Sequence, residues 1–356
     1  MWVLAGQRAG DNTQSSALAE ALGWPYETKR VVYRQTELIS NLAFDASLLG
    51  RVRSRSDPLE PPWPDLVIST GRRSEPVARW IRRRADRSVT LVHVGRPWRG
   101  VGAFDLVVVT PQYPIAAGPC VVQNPLPMHR LTQARLAAAA ETWRTRLEHL
   151  PRPRIALLAG GNSELFTLDE RIAAALARDA SALAREAGGS LLVTTSARTP
   201  TASADALFTG IAVPSENYRW DRPGATDNPY LGFLALADAF IVTGDSISML
   251  AEACATGRPV HIFDPGRHAA NGSADFSAGL RRRFQNFGLA RLGRDLRRIH
   301  DGLLSRGSAV MLGDPFEGNP PAMRDYLSDT AARVRRLLVA EVQNVNSRLY
   351  PLAGST

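Results

Sequence analysis

The sequence predicts an α/β fold made of two doubly wound parallel-sheet halves facing a cleft, with a closing helix free to cross back onto the first half. Three observations carry this expectation. Short β-branched runs alternate with helical stretches along most of the chain, which implies right-handed crossovers and parallel strands. The pattern also begins twice: Trp2–Ala5 and Arg154–Ala159 each run into a glycine-bracketed loop and then a helix. Finally, 356 residues with a hydrophobic fraction of 44% exceed one ordinary core and suit two soluble domains. Each half is thus Rossmann-like, and the expected division is residues 1–150, 151–320 and a helical tail, 321–356.

In the first half, strand Trp2–Ala5 leads into Gly6-Gln7-Arg8-Ala9-Gly10-Asp11-Asn12 and a helix from about Thr13 to Leu22. Arg8 and Asp11 stand where the dinucleotide fingerprint needs glycine, and no Walker lysine is present. Val31–Tyr33 reads as a second strand, and Gly50–Pro64 as a mobile connection. Strands Asp65–Thr70, Val89–Val94 and Asp105–Thr110 follow, with a helix from Gly71 to about Arg84 after the first of them. Their turns carry Gly71-Arg72-Arg73-Ser74, Gly95-Arg96-Pro97 and Pro111-Gln112-Tyr113, at the edge where ligands of such sheets sit. A helix over Leu131–Leu147 closes the half before Pro151-Arg152-Pro153.

The second half opens with Arg154–Ala159, the loop Gly160-Gly161-Asn162-Ser163 and a helix over Asp169–Ala187. Strand Ser190–Thr195, a helix near Ser203, an irregular stretch from Pro214 to Pro229 and a helix over Tyr230–Ala237 come next. Phe240–Val242 is a buried strand ending on Thr243-Gly244-Asp245-Ser246, where Asp245 or Ser246 can cap the short helix that follows. Gly257 supplies a C′ residue, Pro259 stops the helix, and His261–Asp264 forms a fifth strand. A glycine-rich passage (Gly266–Gly279), a basic segment (Arg281–Arg298) and a helix from about Met323 to Val342 finish the chain.

No apolar run reaches the length of a membrane span, and the first residues lack a signal-peptide pattern. Cys120 and Cys254 are far apart in apolar contexts, and the six histidines show no ligand spacing, so no metal site is expected. His93, inside an apolar strand, reads as a core histidine. A reducing cytoplasm is the default compartment. The net charge of +9 comes almost entirely from arginine, Lys29 being the only lysine. It reflects either coding bias or attraction to phosphates or an anionic membrane face. Nucleic acid is disfavoured, because no recognition motif accompanies the basic residues.

The candidate site centres on Glu252, a charge in a small apolar helix. One carboxylate can accept two hydroxyl donors at once. The helix start at Ser246, Ser248 and Met249, with Thr243, Gly244 and Asp245 before it, suits an anion such as diphosphate. Gly160, Gly161, Asn162 and Ser163 form a second phosphate-loop candidate, and Thr194, Ser196 and Arg198 offer donors at a strand end. In the first half, Asp11 is either a general base or the cap of its helix. Arg8, Asn12, Arg72, Arg73, Arg96 and Tyr113 line neighbouring strand ends and suit an anionic acceptor.

The stretch from Thr243 to Pro259, with Gly6–Asn12, Pro62-Trp63-Pro64-Asp65, Gly71–Ser74, Thr110–Tyr113, Thr194–Ser196 and Asn228-Pro229-Tyr230, resembles the plant mitochondrial-fission (elongated mitochondria) family and its bacterial relatives. The resemblance covers roughly Trp2–Asp264. It implies recruitment of division machinery to the mitochondrial surface for plant members, and glycosyl transfer for bacterial ones. A more distant resemblance, through the fold pattern and the Glu252, Gly257 and Pro259 spacing, is to GT-B enzymes similar to the lipid-linked glucosaminyl transferase of peptidoglycan synthesis. That resemblance implies a metal-independent transferase whose substrate is a nucleotide-diphospho-sugar, its ribose hydroxyls held by Glu252, with no cofactor and with a cell-envelope glycan or lipid-linked acceptor. The enzyme would be bacterial and cytoplasmic, or peripheral at the inner face of the membrane. One departure is that no histidine stands in the first loop, where many inverting GT-B enzymes keep their base. The rival readings are a nucleotide-sugar epimerase of the same fold and a non-catalytic membrane-division adaptor, and oligomeric state is left open.

Overall fold

The computed structural model describes residues 1–7, 9–34, 46–163, 166–222, 227–265 and 294–349. The chain divides into two compact units, Met1–Arg130 with Asp325–Thr356, and Leu131–Arg324.

The first unit holds β1 (Trp2–Ala5), α1 (Ala9–Leu22), β2 (Glu27–Arg30), β3 (Leu66–Thr70), α2 (Gly71–Arg84), β4 (Thr90–Val94), β5 (Leu106–Val109) and β6 (Val121–Gln123). Its strands form one parallel sheet in the order β2-β1-β3-β4-β5-β6. The central strands are buried, as the apolar runs require, and helices cover the sheet. The second strand differs from expectation. Glu27–Arg30 pairs with β1, and Val31–Tyr33 lies just beyond it in the core. An edge strand covered on one side needs little apolar sequence: among its residues only Lys29 is buried, its ammonium 4.6 Å from the Trp2 ring.

Gly50–Pro64 is also more ordered than expected. Val52 N–H donates to the Val32 carbonyl at 2.8 Å, Arg34 N–H to Gly50 at 2.9 Å, and an Arg51 guanidinium N–H to the Asp57 carbonyl at 2.6 Å. These bonds satisfy the backbone that composition alone marks as loop.

The second unit holds α3 (Gln133–Leu147), β7 (Arg154–Leu158), α4 (Glu170–Glu186), β8 (Ser190–Thr194), α5 (Thr201–Gly210), β9 (Ser215–Tyr218), α6 (Tyr230–Leu236), β10 (Ala239–Thr243), α7 (Ile247–Ala255), β11 (Val260–Phe263), α8 (Arg297–Ser305) and β12 (Val310–Met311). Its sheet is again parallel, in the order β12-β11-β10-β7-β8-β9. The sequence places the break at Pro151-Arg152-Pro153, whereas the structure assigns α3 to the second unit. The reason is packing: Gly232 of α6 lets the Trp143 ring of α3 sit against the helix backbone, and Trp143 meets Phe233 edge-on at 6.4 Å. β9, polar and at the sheet edge, falls in the stretch expected to be irregular. Asp169 caps α4 by accepting from Ile172 N–H at 2.8 Å, and Gly257 takes φ 71° just past α7.

The final helix, α9 (Tyr326–Leu349), belongs to the first unit. It buries Tyr326, Ala331 and Val334 there, and Thr330 bonds to the Asn124 side chain at 3.1 Å. Arg335 donates to the Ala21 and Leu22 carbonyls at the end of α1, where a cation complements the helix dipole. No helix among the described residues is long and apolar enough to cross a membrane.

Candidate functional site

Strand order locates the crevice of each sheet. In the second unit the chain runs outward from β7 through β8 and β9, then returns to add β10 on β7's other side. The topological switch point therefore lies between β7 and β10, beyond their carboxyl ends, where open α/β sheets bind ligands. The loop Gly160–Ser163 and the turn Gly244–Ser246 meet there. Gly160 N–H donates to Thr243 Oγ1 at 2.7 Å and Gly161 N–H to Asp245 Oδ2 at 3.0 Å. Arg198 Nη2 reaches the same Asp245 oxygen at 2.8 Å and its Nη1 donates to the Asn162 carbonyl at 3.0 Å. The Asp245 side chain is 1% exposed and that of Arg198 44%.

These contacts explain both glycines. A Cβ at Gly160 would strike the Asp245 carboxylate, and one at Gly161 would run into the Arg198 carbonyl. They also revise two expectations. The Gly160 and Gly161 amides are held by side chains of the β10 turn, because the two loops close on each other. Asp245 does not cap α7 but turns to Gly161 and Arg198, and Ser246 makes no side-chain cap bond either. The start of α7, with Ser248 and Met249 in its first turn, therefore lacks a side-chain cap. Ser196 Oγ donates to the Gly160 carbonyl at 2.7 Å, while Asn162 Oδ1 and Ser163 Oγ accept from Leu168 and Phe166 amides and hold the loop's far side. Thr194 is buried and donates to the Thr195 carbonyl at 3.3 Å.

Glu252 lies one turn further along α7, partly buried, and accepts from the Tyr230 hydroxyl of α6 at 2.5 Å. Burial raises its carboxyl pKa, against the Tyr230 bond and the Arg135 charge, which lower it. Burial and the neighbouring carboxylate push the Tyr230 phenol well above its ordinary range. His300, which sequence spacing did not single out, closes the turn from below: its Nε2 lies 2.8 Å from the Gly244 carbonyl, 56 residues away in sequence. A Cβ at Gly244 would come within 2.8 Å of that imidazole.

In the first unit the chain winds outward from β1 in both directions, so the switch point lies between β1 and β3. α1 begins at Ala9, which puts Asp11 in its first turn and not at its cap. The Asp11 carboxylate packs over Gly71, 3.1 Å from where a Cβ would stand. Asn12 ties the loop to itself, exchanging 2.9 Å hydrogen bonds with the Gly6 amide and carbonyl. Arg73 donates to Gln7 at 3.1 Å, and the Arg72 guanidinium sits 5.7 Å from the Trp98 ring centre. Arg96 is half-buried near Tyr113, with Nη1 enclosed and unbonded, and burial lowers its pKa. Arg8 lies outside the described residues. Glu75, missed in an arginine-rich helix, is buried and accepts the Trp98 and Arg99 amides.

A separate 520 Å³ depression beside α5 and β9 is lined by Phe208, Tyr218 and Arg219 among others. Its arginines face Asp205 and Asp221, which neutralise them, and it lies away from the switch point.

Two doubly wound units, each with charged side chains gathered at its switch point, define a two-unit Rossmann-like α/β protein. A family profile described as "Mitochondrial fission ELM1" matches residues 9–290, and the chain belongs to that family. The mitochondrial fission protein ELM1 of Arabidopsis thaliana is 28% identical over 262 residues, 67% of this chain and 60% of that protein. The match thus spans less than two thirds of that relative. Among solved structures, an S. aureus MnaA–UDP co-structure is 13% identical with a TM-score of 0.44, covering 99% of this chain and 96% of that one. E. coli ADP-heptose lps heptosyltransferase II is 12% identical with a TM-score of 0.43, over 96% and 99%.

Proposed function

We propose that the protein is a glycosyltransferase whose second unit binds a nucleotide-diphospho-sugar and whose first unit binds a cell-envelope glycan or lipid-linked acceptor. The observation that supports this most is the β7/β10 switch point, where the α7 N-terminus without a side-chain cap stands with the half-exposed Arg198 guanidinium. Helix dipole and guanidinium together suit a diphosphate and its release as leaving group without a metal. Glu252 would take the ribose hydroxyls on the oxygen that Tyr230 leaves open. Asp11 would accept the proton of the acceptor hydroxyl as that oxygen bonds to the sugar's anomeric carbon and the nucleoside diphosphate departs. Arg72, Arg96 and Tyr113 would hold an anionic acceptor group.

Thermal unfolding with and without nucleotides and nucleotide-sugars tests the donor assignment. A ligand at a hundred times its Kd should stabilise the wild type by about 2.7 kcal/mol. Glu252→Ala should abolish most of that response, and Arg72→Ala should leave it unchanged while lowering turnover. An unresponsive wild type, or a Glu252→Ala protein that responds equally, sinks the assignment.

A second reading, a non-catalytic adaptor that kept the fold, draws on Asp245. The amide of Gly161 and one arm of Arg198 are already held by the chain's own carboxylate. It predicts no stabilisation by any nucleotide.

A further inference from the structure

Two glycines in the left-handed region, Gly95 at φ 96° and Gly100 at φ 86°, bracket the loop that leaves β4. Between them, both oxygens of one carboxylate fix the backbone. Glu75 Oε2 accepts from Trp98 N–H at 2.6 Å and Oε1 from Arg99 N–H at 3.0 Å. Glu75 is 2% exposed, and Pro97 is buried beside it. Burying a carboxylate to hold two loop amides is costly, and the shape it holds keeps an indole in water. Trp98 is 43% exposed, with the Arg72 guanidinium over its ring. Arg72 and Arg73 open α2, and Arg96 and Arg99 lie in the loop itself, against Asp11 and Glu75 as the nearby carboxylates.

An indole fixed at a surface among arginines matches the headgroup region of an anionic bilayer. A ring of this kind prefers the boundary between apolar and wet, and each arginine near such a surface contributes about 1 kcal/mol. We propose that the Gly95–Gly100 loop docks the first unit on an anionic phospholipid bilayer. Trp98 seats among the headgroups, and Arg72 and Arg99 meet the phosphates. The loop carries Arg96 and lies at the same sheet edge as Tyr113. A lipid-borne acceptor would then reach those residues without leaving the bilayer, a consequence that rests on the acceptor reading above.

Sedimentation with phosphatidylcholine vesicles, alone or mixed with phosphatidylglycerol, reads the docking directly. The wild type binds the mixed vesicles, does not bind the neutral ones, and loses affinity as salt rises. Trp98→Ala, and the double variant Arg72→Ala with Arg99→Ala, each lower partitioning at least about fivefold. Trp98→Phe retains most binding, which separates loss of the ring from a disturbed fold. Trp220→Ala, removing an indole 51% exposed in the second unit, leaves binding unchanged. A wild type that stays in solution with mixed vesicles, or a Trp98→Ala protein that binds as well as wild type, overturns the docking. A loss seen only with Trp220→Ala does so too. Nucleotide response without vesicle binding refutes the docking alone, and vesicle binding without nucleotide response refutes the donor assignment alone.

Discussion

Asp245 carries the sharpest consequence at the scale of single residues. Its buried carboxylate holds Arg198 and the Gly161 amide, the groups that the proposed donor assignment gives to a diphosphate. Asp245→Asn keeps an acceptor for Gly161 and removes the negative charge that pairs with the guanidinium. Under the donor assignment, nucleotide affinity by calorimetry should rise about tenfold, the worth of one charge-assisted hydrogen bond. Unchanged or weaker binding would make Asp245 purely structural. His93 gives a second test. Burial lowers its pKa from 6.5 to about 3. Between those values the unfolded chain binds a proton that the folded chain refuses, so stability rises with pH across that window. On acidification it is lost from pH 6.5 downward, at up to about 1.4 kcal/mol per unit for this group. His93→Gln should flatten part of that slope in urea titrations at several pH values. The sequence shows His93 as a core residue, because apolar neighbours on the same strand are visible locally. It does not show the Asp245–Arg198 pair or the His300–Gly244 contact, whose partners meet only through the topology.

Among elements, those buried on both faces were legible and those at edges were not. β3, β4, β7 and β10 read as continuous apolar runs because a parallel sheet covers both their faces. β2 and β9 need side chains for one face at most, and their polar sequences Glu27–Arg30 and Ser215–Tyr218 resemble loops. α7 was legible through Ser246 at its start and Gly257 beyond its end, yet the cap expected of Asp245 or Ser246 is absent. The α3–α6 contact was hidden, since nothing in sequence says that Gly232 faces Trp143. Gly232→Ala would push a methyl into that ring. It should destabilise the second unit by about 1–3 kcal/mol, seen as a lower denaturant midpoint with an unchanged first-unit transition.

For the molecule as a whole, the expected helical tail is a component of the first unit. Tyr326 donates to the Pro127 carbonyl at 3.1 Å, and Thr330, Ala331 and Val334 are buried there. Ending the chain at Arg324 strips that cover. The first-unit transition should fall by several kcal/mol, given about 2–5 kcal/mol for a single large buried side chain, while the second unit's transition stays. Calorimetry resolving two transitions checks this, and a uniform shift of both would contradict the division.

The path of the chain through Arg130 and Asp325 also orders events during synthesis. The second unit is one uninterrupted segment, whereas the first is assembled from pieces at both ends of the sequence. On the ribosome the segment translated later can mature first. The half begun at Trp2 must wait, with the face meant for α9 uncovered, until the last turns emerge. Chaperone demand should therefore concentrate on the earlier-made half.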